Sequence, residues 1–216
     1  MNDPTGWLDR VAHDLRGPLM PLQTAAYLLR SGQLDAARQA ELLDVIERQT
    51  RQLARMIDEL GDWMRANQQR LLGTREPCDL TLLLDYATAG AKLPPPRIED
   101  ASAGATVEGD SQRLTQLLRI LLVYASAKGA PATVRVQPAA DRLQLDVIAP
   151  ANADATPATT LFEFPQTAPL DGGLGLQLLL ARHIAEAHGG TLDASDADGQ
   201  RRLRLQLPRS PATATS

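Results

Sequence analysis

The 216-residue chain has one cysteine, Cys78. A single thiol excludes an intrachain disulfide and a thiolate metal site, and leaves packing as its role. Aromatic residues are scarce at 3%. The core must therefore come from Leu, Ala, Val and Ile, which favours helix packing over much of the length. No apolar run reaches the roughly 18–20 residues of a membrane span. Positive charge is not in excess: the net charge is −4, which removes the footprint of a nucleic-acid binder. Met1–Asn2–Asp3–Pro4 lacks both the basic start and the apolar segment of a signal peptide. The expectation is a cytoplasmic protein with no membrane and no nucleic-acid partner. The length suffices for one large or two small domains with a real core.

The stretch Ala12–His13–Asp14–Leu15–Arg16–Gly17–Pro18–Leu19 carries the chemistry. A neutral imidazole is nucleophilic near pH 7. Asp14 beside it can fix the ring tautomer and stabilise the charged form. Arg16 lies one helical turn from His13 on the same side, where its fork of donors suits a phosphate.

Residues 1–72 read as two long helices. Asp3–Pro4 opens the first. Its apolar positions Leu8, Val11, Leu15, Leu19, Leu22, Ala26 and Leu29 recur at threes and fours, one helix stripe. Pro18 and Pro21 fall inside the stripe, and a kink just past His13 is expected. Ser31–Gly32–Gln33 is a turn. The second helix begins near Asp35 and carries Leu42, Ile46, Gln49, Leu53, Met56/Ile57, Leu60 and Trp63/Met64. Two such helices cannot bury both stripes alone. A four-helix bundle formed by a homodimer is the expected solution, with packing onto the second half of the same chain as the alternative. Arg51, Arg55 and Arg65 with Asp58 and Glu59 read as a solvated helix face.

Leu72–Gly73–Thr74–Arg75–Glu76–Pro77 is a boundary. Beyond it, residues 73–208 change character. Asp79 opens a helix to about Gly90, and Leu93–Pro94–Pro95–Pro96 is an extended connector. Asp110 caps an apolar helix running from Arg113 to about Lys128. Residues 133–137 and 142–148 alternate with period two and read as strands. Asn152–Leu170 is rich in Ala, Thr and Pro around an island, Leu161–Phe162–Glu163–Phe164. Gly172–Gly173–Leu174–Gly175 leads into a helix from Leu176 to His188, closed by Gly189–Gly190. Two strands follow near 191–195 and 201–207, and 209–216 reads as a disordered tail. The fold class is α+β: a helical hairpin, then a sandwich of one mixed sheet with helices on one face. His183 and His188, five apart, are poorly spaced for a shared metal and read as surface or capping residues.

In order and context these segments resemble the catalytic core of a two-component sensor histidine kinase, from about residue 7 to 208. His13–Asp14–Leu15–Arg16–Gly17–Pro18–Leu19 resembles the phosphoacceptor box, H-E-L-R-T-P-L. Gly109–Asp110 with Arg113–Leu114 and Gln116 resembles the start of the asparagine box. Leu161–Phe162–Glu163–Phe164 resembles the F box. Asp171–Gly172–Gly173–Leu174–Gly175–Leu176 resembles the second glycine box, and His188–Gly189–Gly190 the exit of the following helix. The resemblance implies a dimeric hairpin joined to a histidine-kinase-type ATPase domain. It implies phosphoryl transfer from ATP and Mg²⁺ to His13, then to an aspartate of a response-regulator receiver. Asp14 would serve as base or tautomer anchor.

The sequence departs from that pattern where nucleotide would bind. Aligned on Gln116–Leu117–Leu118, Ile120 and Tyr124 stand where the family has its two asparagines, the second of them the Mg²⁺ ligand. Mg²⁺ wants hard oxygen ligands in octahedral array. In the first glycine box, D-x-G-x-G, the register gives Ala149–Pro150–Ala151–Asn152–Ala153. The aspartate that reads adenine becomes Ala149, and the glycines become Ala151 and Ala153. Losing a hydrogen bond to a charged partner costs about 1.5–3 kcal/mol, roughly 10–150-fold in affinity. Asp146 or Asp154 could substitute only through a register slip. Gly173 and Gly175 persist, but Asp171 replaces the first glycine, a negative charge where a triphosphate would lie. Gly17 lacks the side chain that many family members use four residues after the histidine to position water for receiver dephosphorylation.

What stays intact is the His13–Asp14–Arg16 cluster on a dimerising hairpin, and no sensor domain is read ahead of residue 7. The expectation is a phosphotransfer protein carrying phosphoryl on His13 between receiver aspartates. Ile120, Tyr124, Ala149, Ala151, Gly173 and Gly175 mark a degenerate nucleotide site, with no metal and no cofactor. The first alternative is an atypical histidine kinase using ATP and Mg²⁺. The second is a non-enzymatic partner of a sensor kinase or a regulator.

Overall fold

The structure, a computed structural model, describes residues 4–32, 34–89, 93–99, 104–127, 129–139, 141–151, 156–167, 169 and 172–209. Gln33, Gly90, Lys128, residues 152–155, Leu170, Asp171 and residues 210–216 lie outside the described residues. The readings made of Asn152, Ala153, Asp154, Asp171 and residues 210–216 fall on these residues, whereas Arg209, expected in the disordered tail, donates its amide to the Asp141 carbonyl at 2.9 Å and bridges to Val107.

Helix α1 (Pro4–Arg30) and helix α2 (Ala36–Asn67) form the hairpin. α1 is one helix through Pro18 and Pro21, with no break in the helical assignment at the expected kink. Each proline removes one internal hydrogen bond, but the helix is held from the side: Pro18, Val11 and Ala25 are buried. The stripe is offset from the sequence expectation in two turns: Pro18 is covered and Leu19 open, and Ala25 is covered and Ala26 open. Asp35, near which the second helix was expected to begin, caps α2, its carboxylate accepting from the Arg38 amide at 2.7 Å.

The second unit begins with strand β1 (Glu76–Asp79), helix α3 (Leu80–Ala89), strand β2 (Arg97–Glu99) and strand β3 (Thr106–Gly109). Helix α4 (Ser111–Ala125), strand β4 (Thr133–Ala139) and strand β5 (Arg142–Pro150) follow. A short 3-10 turn (Ala158–Thr160) precedes helix α5 (Gln177–Ala187), strand β6 (Thr191–Ala197) and strand β7 (Gln200–Pro208). The five-stranded sheet has the order β2-β4-β5-β7-β6. β2 runs parallel to β4 and the other pairs are antiparallel. β1 and β3 form a separate antiparallel pair.

Strands β4 to β7 alternate, so one face of each is apolar. Leu143, Leu145, Val147 and Ala149 of β5 and Leu203, Leu205 and Leu207 of β7 lie in one buried core with Leu117, Leu118 and Leu121 of α4 and Ile184 and Ala185 of α5. This is the expected one-sided sandwich. Asp79 opens α3 by accepting from the Thr81 and Leu82 amides at 2.7 and 3.2 Å. Asp110 caps α4 through the Arg113 amide at 3.0 Å and also accepts from the Gly73 amide at 2.7 Å, so the domain boundary is tied to the same carboxylate. The Gly189 and Gly190 amides close α5 onto the Glu186 and Ala185 carbonyls.

The hairpin packs onto the second unit. Val11 and Met56 share a buried cluster with Leu174, Leu176 and Leu179, flanked by Leu15, Leu60 and Trp63. Part of the apolar surface of α1 and α2 is thus covered within one chain, which was the alternative to complete coverage by a dimer. Other apolar side chains of the hairpin stay exposed, among them Met20, Tyr27, Ile57 and Met64.

Candidate functional site

His13 lies in the first half of α1 with its side chain 84% exposed. Its Nδ1 is 3.2 Å from an Asp14 carboxylate oxygen. A carboxylate on Nδ1 favours the tautomer whose proton sits there and leaves Nε2 as the free lone pair. Arg16 is exposed one turn on. Val11 and Leu15, the residues that pack on the second unit, are each two positions from His13, about 200° round the helix. The ring therefore faces away from the glycine loop of its own chain. Gly17 is exposed, and a Cβ there would meet nothing within 4 Å.

Of the residues expected to mark the nucleotide site, Ile120, Tyr124 and Gly175 line one cavity between α2, α4 and the glycine loop, and the Tyr124 hydroxyl is bonded from within the chain. Ile120 is 9% exposed and belongs to the core. Tyr124, at the end of α4, accepts at its hydroxyl from Arg201 Nη1 at 2.7 Å. Arg201 is on β7, directly across from Ala149 on β5. With alanine at that position, the guanidinium crosses the core face of the sheet. It donates to the Thr156 carbonyl at 2.8 Å and, from Nε and Nη2, to both Asp196 oxygens at 2.8 and 2.7 Å. Arg201 is 3% exposed, and the carboxylate of Asp196, with the Tyr124 hydroxyl, raises its pKa further. Sequence reasoning missed Arg201 among the three arginines of β7, at 201, 202 and 204. The signal lay in the parity, since Arg201 is in phase with Leu203, Leu205 and Leu207.

Ala151 continues the edge, its amide donating to the Gly199 carbonyl at 2.9 Å. Asp146 stays in β5 on the opposite face from Ala149 and is buried, paired with Arg204 at 3.0 Å. It does not substitute for the missing aspartate.

Gly175 has φ +78°, and a Cβ on it would lie 2.2 Å from the Gln166 carbonyl oxygen, whose own amide bonds Gly175 O at 2.9 Å. Gly173 is buried in the same loop. The Leu174 and Leu176 amides donate to Glu59 of α2 at 2.6 and 2.5 Å, and Gln52 donates to the Gly172 carbonyl at 2.9 Å. Of the expected solvated face of α2, Arg51, Arg55, Asp58 and Arg65 are exposed, and Glu59 alone is corrected. Glu59 is 3% exposed under the glycine loop. Arg65 pairs with buried Asp62, while Arg55 and Asp58 line a cavity of about 540 Å³ between α2, α4 and the loop. Asp62 also accepts from Arg113 at 2.9 Å and Gln116 at 2.7 Å. Burial pushes its carboxyl up, but these bonds outweigh it and hold the pKa below the ordinary range.

For His188 the capping alternative holds. It stands at the end of α5 as a capping residue should, but is only 3% exposed. Nδ1 faces the Ile184 carbonyl at 2.7 Å and Nε2 accepts from the Asp110 amide at 3.0 Å. Burial lowers its pKa, and the ring joins the start of α4 to the end of α5. His183 packs edge-on to Trp63, centroids 5.2 Å apart. No group of His, Cys, Asp and Glu suited to a metal occurs among the described residues, and no described helix is long and apolar enough to cross a membrane.

Residues 5–69 match the His Kinase A (phospho-acceptor) domain family. The chain is 28% identical over 209 residues to the sensor protein ChvG of Agrobacterium fabrum, covering 86% of this chain and 35% of that protein. It thus spans about a third of the length of that relative. Among solved structures it superposes on the Acinetobacter baumannii histidine kinase AdeS with a TM-score of 0.68 at 20% identity, covering 92% of this chain and 98% of that one. It also superposes on the histidine kinase ThkA, solved in complex with the response regulator TrrA, with a TM-score of 0.67 at 19% identity, covering 95% and 62%. The matched phosphoacceptor hairpin, the sequence likeness along most of the chain and the fold of both units agree: the chain belongs to the sensor histidine kinase family, as a catalytic core of helical hairpin and ATPase-type α/β domain.

Proposed function

We propose that this chain is a phosphotransfer protein of two-component signalling, with His13 carrying phosphoryl between aspartates of response-regulator receivers. The observation that carries the reading is the Arg201–Tyr124 pair. Where the family pattern puts a Mg²⁺ ligand, a tyrosine hydroxyl is already bonded to a guanidinium, and where it puts the adenine-reading aspartate there is Ala149 beside that same arginine. A buried cation and an apolar Ile120 do not suit a second, divalent cation or its oxygen ligands. These residues do not fit Mg²⁺–ATP.

In the proposed transfer the Nε2 lone pair of His13 attacks the phosphorus of an aspartyl phosphate. The N–P bond forms, the P–O bond to the aspartate breaks, and the carboxylate leaves. The positive charge on the imidazole is balanced by Asp14 at Nδ1. Arg16 offers donors to the phosphoryl oxygens. The reverse step, to a second receiver, restores neutral His13. An exposed ring turned away from its own second unit suits a partner arriving from outside, and a solved kinase–regulator complex of the same fold supports a receiver as that partner. The exposed apolar residues of the hairpin support a homodimer through a four-helix bundle.

The second reading, an ATP-dependent kinase, is favoured by the comparisons, because the similar proteins are named as sensor proteins and histidine kinases. One experiment separates the two. Receiver domains phosphorylated with a small-molecule phosphodonor are mixed with the chain, and in parallel the chain is incubated with γ-labelled ATP and Mg²⁺. The carrier reading expects label on His13 from the receiver and none from ATP, with His13→Ala losing it. Strong labelling from ATP, or relay that survives His13→Ala, overturns it.

A further inference from the structure

A buried carboxylate demands partners, and Glu59 finds them in a place with a chemical identity of its own. Its oxygens take the backbone amides of Leu174 and Leu176, one each, at the entry to α5. Amides at a glycine-rich helix entry are anion donors: they point one way, and the helix dipole adds to them. An acidic side chain from a different unit, 115 residues away in sequence, supplies the anion here. Around it the contact is dry. Leu174, Leu176 and Leu179 are at most 7% exposed and pack on Val11 and Met56. Gln52, about two turns before Glu59 on the same face of α2, fixes the Gly172 carbonyl. The Asp62–Arg113–Gln116 bonds hold α4 to α2 three residues beyond Glu59.

We propose that Glu59 is a built-in phosphate surrogate. It occupies the anion donors of the glycine loop and clamps the second unit to the hairpin beside His13, so docking and the binding of a polyphosphate at this loop exclude one another. The proposal is independent of where His13 obtains its phosphoryl group: an ATP-using chain would have to displace Glu59, and a carrier would keep it in place. Its consequence for function is positional. The docked unit covers the Val11–Leu15 side of α1 and leaves the His13 side as the approach for a partner.

The test uses the full chain in phosphate-free buffer. NMR-detected hydrogen exchange is expected to find the Leu174 and Leu176 amides protected with no ligand present. Exchange at the rate of an open loop overturns the proposal without any variant. Glu59→Ala is expected to expose both amides while the Leu180 amide, inside α5, stays protected. It is also expected to bind inorganic tripolyphosphate at least about tenfold more tightly than the wild type, the order of a charge-assisted pair. In a Trp7→Phe background, Trp63 emission is expected to shift to the red as the clamp opens. Tripolyphosphate affinity equal to the wild type, or an unmoved Trp63, overturns the proposal. Should Glu59→Ala not fold, Glu59→Gln keeps the volume, removes the charge and carries the same comparison.

Discussion

Arg201 and Tyr124, on β7 and α4, are joined by a 2.7 Å hydrogen bond at the end of the core where the resemblance in sequence places the nucleotide site. The bond is buried on the arginine side and shares its guanidinium with Asp196 and Thr156. Tyr124→Phe removes one bond to a charged donor and leaves the rest, an expected loss of about 1–2 kcal/mol in urea unfolding at pH 7. Arg201→Ala strips the Tyr124 hydroxyl and the Thr156 carbonyl together and leaves a cavity, an expected loss of about 3 kcal/mol. Restoring the family residues with Ala149→Asp and Tyr124→Asn is expected to give no Mg²⁺-nucleotide binding by calorimetry while Arg201 remains, because the new aspartate would pair with it across the strands. Binding by that double variant would show that the arginine does not close the site.

Two glycines in the motifs have opposite standing, and substitution to alanine separates them. Gly175 sits at φ +78° with the Gln166 carbonyl oxygen 2.2 Å from any Cβ. Gly175→Ala is expected to cost at least about 2 kcal/mol, from left-handed strain plus displacement of the backbone. Gly17 is exposed in mid-helix with open space. Gly17→Ala is expected to stabilise the chain by about 0.5–1 kcal/mol. Chemical denaturation of the two single variants reads both signs. A neutral Gly175→Ala would remove the structural reason for that glycine and return it to ligand binding.

Much of this architecture was legible in the sequence because local rules and burial agree in it. The caps at Asp35, Asp79 and Asp110, the period-two strands and the closing Gly189–Gly190 follow from neighbours within a few residues. β1, β2 and β3 were missed. They are three or four residues long, carry Pro77, Glu99 and Glu108 respectively, and exist only because a partner strand pairs with them. The site was legible at His13–Asp14, adjacent in sequence, and at the residues lost from the nucleotide pattern. It was not legible at Glu59, Arg201 or His188. Each is a polar residue whose burial depends on a distant backbone amide, hydroxyl or carbonyl, and although parity points Arg201 inward, no period in the sequence encodes the partner.

His188 predicts a pH dependence with a defined sign. Burial holds its folded pKa below the ordinary 6.5. The unfolded chain therefore takes up the proton first as pH falls. The stability His188 contributes is complete above about pH 6.5 and declines as pH drops from there toward the folded pKa. Urea unfolding at pH 7.5 and 5.5 is expected to show a loss on acidification that shrinks in His188→Gln. The variant is expected to lose about 2–4 kcal/mol at pH 7.5, where the bonds to Asp110 and Ile184 are gone. Equal acid sensitivity in variant and wild type would place the titrating group elsewhere.

Asp62 titrates in a lower window and tests the joint between hairpin and second unit. Its carboxylate, 11% exposed, takes bonds from Arg65, Gln116 and Arg113. Its folded pKa is depressed below 3.8 despite burial. The unfolded chain again binds the proton first, so this contribution is whole above about pH 4 and is lost as pH falls below that. Between pH 7.5 and 5.5 it is constant, which keeps it apart from His188. Asp62→Asn keeps the shape and removes the charge. It leaves Arg113, 17% exposed, without its ion pair, for an expected loss of about 2–3 kcal/mol at pH 7. Near pH 3 wild-type Asp62 is partly protonated in the unfolded chain, and the gap between wild type and variant is expected to narrow. A gap that stays constant from pH 7 to pH 3 would mean that the asparagine costs packing alone, and that the Asp62–Arg113 charge pair does not hold α2 against α4.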